Sequence, residues 1–183
     1  MEIVFETERI TLKILDKLHA DLVLDYYLRN KDFLKEWEPL RNKEFYTIGI
    51  QESLLEENFL GFMCGNLVQL WVFKKNYDNK IIGSVTFNNI IGGNFSSCYL
   101  AYNIDKDEIN QGYITEAAQK GIDIVFNEYK LHRIQANIMP KNNASLRVVE
   151  KLGFHKEGLA HKYLEIDGKW EDHVYMALLN DKV

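Results

Sequence analysis

The chain has 183 residues, of which 46% are hydrophobic and 27% are charged, and its formal net charge is −5. These values are ordinary for a globular protein that buries a sizeable core, and we expect a single domain over residues 1–183. The acidic balance argues against a nucleic-acid-binding surface, because such surfaces are strongly basic, and it favours cationic partners such as amines.

The sequence shows no pattern typical of export, membrane insertion or metal binding. No basic leader segment begins the chain, and no apolar run reaches the length of a membrane span. Cys64 and Cys98 lack the cysteine or histidine neighbours that a metal site needs at close spacing. We therefore expect a cytoplasmic protein with reduced thiols, no bound metal and no membrane partner.

The first third of the chain predicts one strand and then two helices. Residues 9–15 alternate apolar and polar side chains, which is typical of a strand. Residues 16–35 carry apolar side chains at helical spacing and predict a helix with a break near Asn30. A second helix is predicted over residues 47–60.

Three antiparallel strands are predicted next. Residues 67–74 and 80–89 form two of them, and the polar run 76–79 between them is typical of a hairpin turn. Residues 95–104 form the third strand. Its side chains alternate between two faces, with one set comprising Cys98, Leu100, Tyr102 and Ile104 and the other comprising Tyr99, Ala101 and Asn103.

The most regular helix pattern covers residues 111–128. Its apolar side chains form a continuous stripe suited to packing on a sheet: Ile114, Ala117, Ala118, Gly121, Ile122 and Val125. A strand over 132–139 follows and ends at Pro140. Asn142 or Asn143 then caps a short helix that reaches Leu152, with Gly153 after its last turn.

The tail predicts a long hairpin, and the element order then defines the fold class. Strands over 154–166 and 169–179 flank Asp167-Gly168, which favours a type I′ turn. The whole order is strand, helices, three antiparallel strands, helix, strand, helix and hairpin. We therefore expect a mixed α/β (α+β) protein with helices on both faces of one sheet.

Two helix starts predict a site for a phosphate-bearing cofactor. Gly112 opens one helix, where free backbone N–H groups attract an anion, although a glycine there also suits a simple helix start. Asn142 and Ser145 open the next helix about thirty residues later. The polar side chains of Asn142 and Ser145 would then lie beside the cofactor that binds at Gly112, where they could take part in the reaction.

The motif after the second helix start resembles the GNAT superfamily of N-acetyltransferases, in the RimJ/RimL-type branch that acetylates the N-termini of ribosomal proteins. The resemblance spans residues 7–179, and its strongest stretch is Asn142-x-x-Ser145 followed by Lys151-Leu152-Gly153-Phe154-x-x-Glu157-Gly158. Of the family's phosphate-loop pattern, Arg/Gln-x-x-Gly-x-Gly/Ala, the chain keeps Gly112, with Ile109 and Ile114 at the outer positions. The resemblance implies the GNAT fold, with a mixed, mostly antiparallel twisted sheet.

The resemblance also implies which residues bind acetyl-CoA. The backbone amides of the phosphate loop would cradle the pyrophosphate, and the residues are Gln111, Gly112, Tyr113, Ile114 and Thr115. A main-chain N–H near Asn103 or Ile104 would face the thioester carbonyl, where two strands splay apart and admit the pantetheine arm. Asn142 would anchor the pantetheine amide, cap its helix, or do both.

The catalytic groups differ from the commoner pattern of the family. Many relatives protonate the leaving thiolate with a tyrosine at the position of Val149. Ser145 lies one helical turn earlier and is the predicted donor to the thiolate, with a purely helix-terminal role as the alternative. The proton-accepting base stays unassigned: the glutamate proposed for this role in related enzymes corresponds to Leu164 here, and the adjacent Glu165 should face the other side of the strand. Trp37 is a candidate for lining the acceptor groove.

The function expected from these features is acetyl transfer from acetyl-CoA to a primary amine by direct attack in a ternary complex. By resemblance the acceptor is a protein N-terminus, and a ribosomal one. Two alternatives stay open: a small amine such as a polyamine or amino sugar, and a coenzyme A-binding regulatory protein without turnover. The edge of the tail hairpin also leaves a homo-oligomer open.

Overall fold

The structure is a computed structural model, and it describes residues 3–182. Within that range the strands are β1 (Ile3–Glu6), β2 (Ile10–Ile14), β3 (Val68–Lys74), β4 (Tyr77–Ile91), β5 (Ser97–Ile104), β6 (Arg133–Ile138), β7 (His155–Ile166) and β8 (Lys169–Leu179). The α-helices are α1 (Ala20–Leu34), α2 (Ile48–Met63), α3 (Tyr113–Glu128) and α4 (Asn143–Lys151). The eight strands form one sheet in the order β1-β2-β3-β4-β5-β6-β8-β7.

The sheet is antiparallel except where β5 runs parallel to β6. This pairing confirms the expected mixed, mostly antiparallel sheet. The β5–β6 pairing begins at Ser97↔Arg133 and stops at Tyr99↔Gln135, although β5 continues to Ile104 and β6 to Ile138. The two strands therefore separate at their carboxyl ends and leave a gap in the middle of the sheet.

Helices cover both faces of the sheet, as predicted. Along β3, Leu70 and Val72 point into a core that they share with α3, whereas Trp71 and Phe73 point into a second core with α1. This alternation follows from the two-residue repeat of a strand. Helix α3 lies close to the sheet at Gly121, where an added Cβ would approach the Phe87 ring to 2.5 Å.

The predicted break in the first helix is wrong. A short 3-10 turn at Lys17–His19 leads into α1, which then runs without interruption past Asn30. Asn30 is fully buried, and its side chain donates to the Tyr26 carbonyl at 2.9 Å and accepts from the Lys106 amide at 2.9 Å. The polar residue that suggested a break instead ties α1 to the turn after β5.

The remaining differences are at the edges of elements. Strand β1 was not predicted, because it is short and only half-buried at the end of the sheet. The β3–β4 turn consists of residues 75–76, so β4 begins inside the predicted turn. The tail hairpin turns at Asp167 (φ 45°) and Gly168 (φ 75°), and two positive φ values are what a type I′ turn requires. Strand β7 forms the outer edge of the sheet, and pairing with a second copy there stays a prediction.

Candidate active site

The loop before α3 presents unpaired backbone amides. Gly112 has φ 80° and ψ 0°, a left-handed conformation that glycine adopts without steric cost. No side chain of the described residues caps α3, and the first intrahelical bond runs from the Glu116 amide to the Gly112 carbonyl at 3.1 Å. The preceding amides, from Tyr113 to Thr115, therefore lack helical partners, which suits a bound anion such as a pyrophosphate.

A half-buried carboxylate fixes this loop to the turn between β1 and β2. Glu116 accepts hydrogen bonds from the Thr7 hydroxyl at 2.6 Å and from the Arg9 amide at 3.0 Å, and it pairs with the Arg9 guanidinium at 2.7 Å. Arg9 also donates to the Gln111 carbonyl at 2.9 Å. Burial favours a raised pKa for Glu116, but the bonds from Thr7 and Arg9 outweigh it and lower that pKa.

The orientation of β5 decides which amides face the gap. The Asp105 amide donates to the Ile82 carbonyl of β4 at 2.7 Å. Because alternate residues of an antiparallel strand bond to the same neighbour, the Asn103 amide also faces β4, and the amides of Tyr102 and Ile104 face the gap. Of the two positions predicted to face the thioester carbonyl, Ile104 is the one whose main-chain N–H is directed into the gap.

The Asn103 side chain is part of a polar network on the α1 face of the sheet. Its Oδ1 accepts from the Tyr26 hydroxyl at 2.9 Å and from the Ser84 hydroxyl at 3.0 Å. Its Nδ2 donates to Glu38 Oε1 at 3.0 Å. Asn103 therefore links the sheet to the loop that follows α1.

The start of α4 is held from two sides. Asn142 Oδ1 accepts from the Ser145 amide at 3.0 Å, which confirms the capping role of Asn142. The Tyr102 hydroxyl donates to the Ser145 carbonyl at 2.8 Å, and burial raises the pKa of Tyr102, so the hydroxyl stays protonated as a donor. Val149, at the commoner tyrosine position, is fully buried in the core. The Ser145 hydroxyl itself has no hydrogen-bond partner among residues 3–182.

One cleft of about 370 Å³ lies where β5 and β6 separate. It brings together three of the predicted site residues, namely Asn103, Asn142 and Ser145. The residues of the phosphate loop and Ile104 do not line it. The α3–α4 side of the sheet and the α1 side thus both contribute side chains to the same cleft.

The cleft also contains groups that the sequence did not single out as proton acceptors. Glu38 and His173 line it, together with Trp37, which was predicted to lie at the acceptor groove. His173 is buried, and its Nδ1 lies 3.1 Å from the Glu171 carbonyl. A carbonyl only accepts, so Nδ1 carries the hydrogen and Nε2 keeps a lone pair in the neutral ring.

The acidic residues of the tail hairpin have other partners. Glu171 pairs with Lys141 at 2.7 Å, and Asp172 accepts from the Lys162 amide at 2.8 Å. Leu164 lines the cleft, whereas the adjacent Glu165 does not. This placement agrees with the expectation that Glu165 faces away, and it leaves Glu38 as the carboxylate in the cleft.

Three further observations concern the described residues. Between residues 3 and 182, no group of three or more His, Cys, Asp or Glu side chains is placed to hold a metal ion. Burial raises the pKa of the Cys98 thiol to about 12, so this thiol stays protonated at neutral pH and is a poor nucleophile. In the same range no helix is long and apolar enough to cross a membrane.

Comparison with known families identifies the class of protein that this fold and cleft belong to. A family model described as an acetyltransferase (GNAT) domain matches residues 9–155, which is more than half of the chain. The chain therefore belongs to the GNAT family, and it is an N-acetyltransferase.

The similar proteins lie in the branch that the motifs indicated. The chain is 37% identical over 173 residues to the [ribosomal protein uS5]-alanine N-acetyltransferase of Escherichia coli, covering 94% of this chain and 88% of the relative. A ribosomal-protein alanine acetyltransferase from Vibrio fischeri superposes with a TM-score of 0.93 at 34% identity, covering 98% and 97% of the two chains. RimJ of Mycobacterium smegmatis in complex with CoA-disulfide gives 0.90 at 25% identity, covering 98% and 88%.

Proposed function

We propose that this enzyme transfers the acetyl group of acetyl-CoA to the N-terminal amine of a ribosomal protein in the cytoplasm, as a single domain. The observation that carries the proposal is the cleft at the splayed β5–β6 ends, to which opposite faces of the sheet contribute. Ser145 and Asn142 reach it from the α4 side, and Glu38 and Asn103 from the α1 side. The similarity to the uS5-alanine N-acetyltransferase supports the choice of acceptor.

The coenzyme would bind along the α3–α4 side. The amides from Gln111 to Thr115 would hold the pyrophosphate, with Gly112 allowing its close approach. The pantetheine arm would enter the gap beside β5, where Asn142 lines the cleft and would bind an amide of the arm. The Ile104 amide would donate to the thioester carbonyl, whose oxygen gains negative charge as the amine attacks.

The acceptor amine would enter from the α1 side and attack the thioester carbonyl directly. The described residues offer no activated thiolate for a covalent intermediate, because Cys98 is protonated and Cys64 lies outside the cleft. The Ser145 hydroxyl, which has no hydrogen-bond partner within residues 3–182, would donate to the departing sulfur, or water would do so in its place. Donation strengthens as negative charge develops on the sulfur, which is where catalysis needs it.

A panel of amines tests the proposal. Thiol release from acetyl-CoA is measured with a uS5 N-terminal peptide that begins with alanine, with the same peptide blocked at its α-amine, with a polyamine and with an amino sugar. We expect turnover with the free peptide, none with the blocked one and little with the small amines. Faster turnover with a small amine would reject the ribosomal acceptor, and thiol release with none of them would reject transfer to these amines altogether.

A further inference from the structure

Glu38 is a carboxylate that two other residues hold in a fixed position in the cleft. It lies in the loop after α1, and its side chain is 20% exposed. Asn103 Nδ2 donates to Oε1 at 3.0 Å, and the Arg41 guanidinium lies 3.5 Å from Oε2. Because its donors come from β5 and from the loop, Glu38 is oriented before any ligand arrives.

The orientation of the Asn103 amide follows from its neighbours. A carboxylate only accepts hydrogen bonds, so the nitrogen of Asn103 must face Glu38. The oxygen of Asn103 then faces the hydroxyls of Tyr26 and Ser84, both of which donate to it. Tyr26 is fully buried, so this network has a rigid base in the core between α1 and the sheet. Asn103 is therefore a positioning residue for Glu38.

The groups around Glu38 leave its charge only partly compensated. Three elements supply the titratable neighbours of Glu38. Helix α1 and its end contribute Tyr26, Tyr27, Lys31, Asp32 and Lys35. The following segment contributes Arg41 and Tyr46, and β8 contributes His173 across the cleft. Burial, reinforced by the negative charge of Glu38, raises the pKa values of Tyr26, Tyr27 and Tyr46, which therefore stay neutral. The Arg41 side chain is 39% exposed, so solvent screens it.

We propose that Glu38 binds the ammonium form of the acceptor amine and takes one proton from it, directly or through one water. This inference rests on the proposed acetyl transfer. The nitrogen of the neutral amine then forms the new C–N bond, and the thioester C–S bond breaks. The second nitrogen proton leaves with the sulfur, so that one ammonium and one thioester yield one amide, one thiol and one protonated Glu38. Protein α-amines are mostly protonated below about pH 7.7, so the step is needed at neutral pH.

The test compares Glu38→Gln with a matched variant of the same loop. Glu36 is two residues away, exposed and outside the cleft, so Glu36→Gln removes the same charge without touching the site. At pH 7 we expect Glu38→Gln to lower kcat/KM for the acceptor peptide by about 100-fold, the size of a general-base contribution. Calorimetry should find unchanged affinity for coenzyme A, and Glu36→Gln should match the wild type.

The pH dependence separates a proton acceptor from a merely structural carboxylate. Above about pH 8 the α-amine loses its proton without help, so the ratio of wild-type to Glu38→Gln activity should fall about sixfold between pH 7 and pH 9, from about 100-fold to about 20-fold. A structural defect would lower activity by a similar factor at every pH. A constant ratio would therefore overturn the proposal, even if the variant were impaired.

His173→Gln is the competing variant, because His173 lines the same cleft and its Nε2 keeps a lone pair in the neutral ring. Suppose that His173→Gln lowers kcat/KM for the acceptor peptide at pH 7 and recovers at high pH, while Glu38→Gln keeps full activity. That result would assign the proton transfer to His173 and overturn the role of Glu38. Thiol release by the wild type with the acceptor peptide is recorded in the same series. Its absence would reject the proposed function and this inference with it, whereas wild-type turnover with an unimpaired Glu38→Gln variant would reject this inference alone.

Discussion

At the scale of single residues, the sequence left two roles open for Ser145, a hydrogen-bond donor to the thiolate and a helix-terminal residue. The structure shows which atoms of Ser145 each role would use. Its backbone amide is bound by Asn142, and its carbonyl by Tyr102. Both contacts use main-chain atoms, so a substitution at Ser145 leaves them intact. The hydroxyl contributes nothing to the cap and has no partner among the described residues, so its removal probes chemistry rather than folding.

Ser145→Ala is expected to lower kcat by about 10- to 100-fold, which corresponds to roughly 1.4 to 2.7 kcal/mol of transition-state stabilisation. KM for acetyl-CoA should change much less, because the bond to sulfur strengthens only as the thiolate leaves. Steady-state kinetics measure both. Ser53→Ala, on the exposed side of α2, is the control. Wild-type kinetics in Ser145→Ala would leave water as the proton donor.

Gly112→Val should weaken coenzyme A binding. At φ 80° a β-branched residue is strained, and an added Cβ would lie 3.3 Å from the Arg9 guanidinium that holds the loop. Gly92→Val is a suitable control, because an added Cβ at Gly92 meets nothing within 4 Å. Calorimetric titration of both folded variants is the measurement. Equal affinities would mean that the Gly112 loop does not hold the pyrophosphate.

At the scale of elements, the start of α3 depends on a contact that no local pattern reveals. Arg9 and Glu116 are 107 residues apart in sequence, and Asn103 and Glu38 are 65 apart. Periodicity and capping signals describe neighbours within a few turns, so they predicted where α3 begins but not that the turn between β1 and β2 holds it. The same limit explains why Glu38, Arg9 and His173 were not found as site residues.

Glu116→Gln is expected to destabilise the protein and the loop together. The lowered pKa of Glu116 means that its charged form stabilises the fold above the ordinary glutamate pKa of about 4.3, and that this stability is lost as the pH falls through the lower folded value. We expect a loss on the order of 1 kcal/mol at pH 7, which shrinks in acid. Denaturant unfolding at several pH values measures it, with Glu128→Gln at the exposed end of α3 as the control. An equal loss at pH 3 would contradict the role of this ion pair.

At the scale of the whole molecule, the sheet and its helices could be predicted because their signals are local and repeated. Alternating apolar and polar side chains predicted most of the strands, and the apolar stripe predicted the buried face of α3. The Asp167-Gly168 pair predicted the turn of the tail hairpin. The predicted break at Asn30 was wrong because a buried side chain found two backbone partners there. Strand β1 was missed because four residues, two of them exposed, make too short a pattern. The gap between β5 and β6 depends on tertiary pairing, and only the family resemblance pointed to it.

The proposed reaction, acetylation of the N-terminal amine of a ribosomal protein in the cleft between β5 and β6, can be tested on the ribosomal proteins themselves. Incubating purified ribosomal proteins with the enzyme and isotopically labelled acetyl-CoA, followed by mass spectrometry of intact proteins and their N-terminal peptides, tests it most directly. We predict label on the α-amine of one ribosomal protein with the wild type, and much less with Glu38→Gln or Ser145→Ala. Label on lysine side chains alone, or no label on any ribosomal protein while a small amine is acetylated, would contradict N-terminal acetylation of a ribosomal protein by this enzyme.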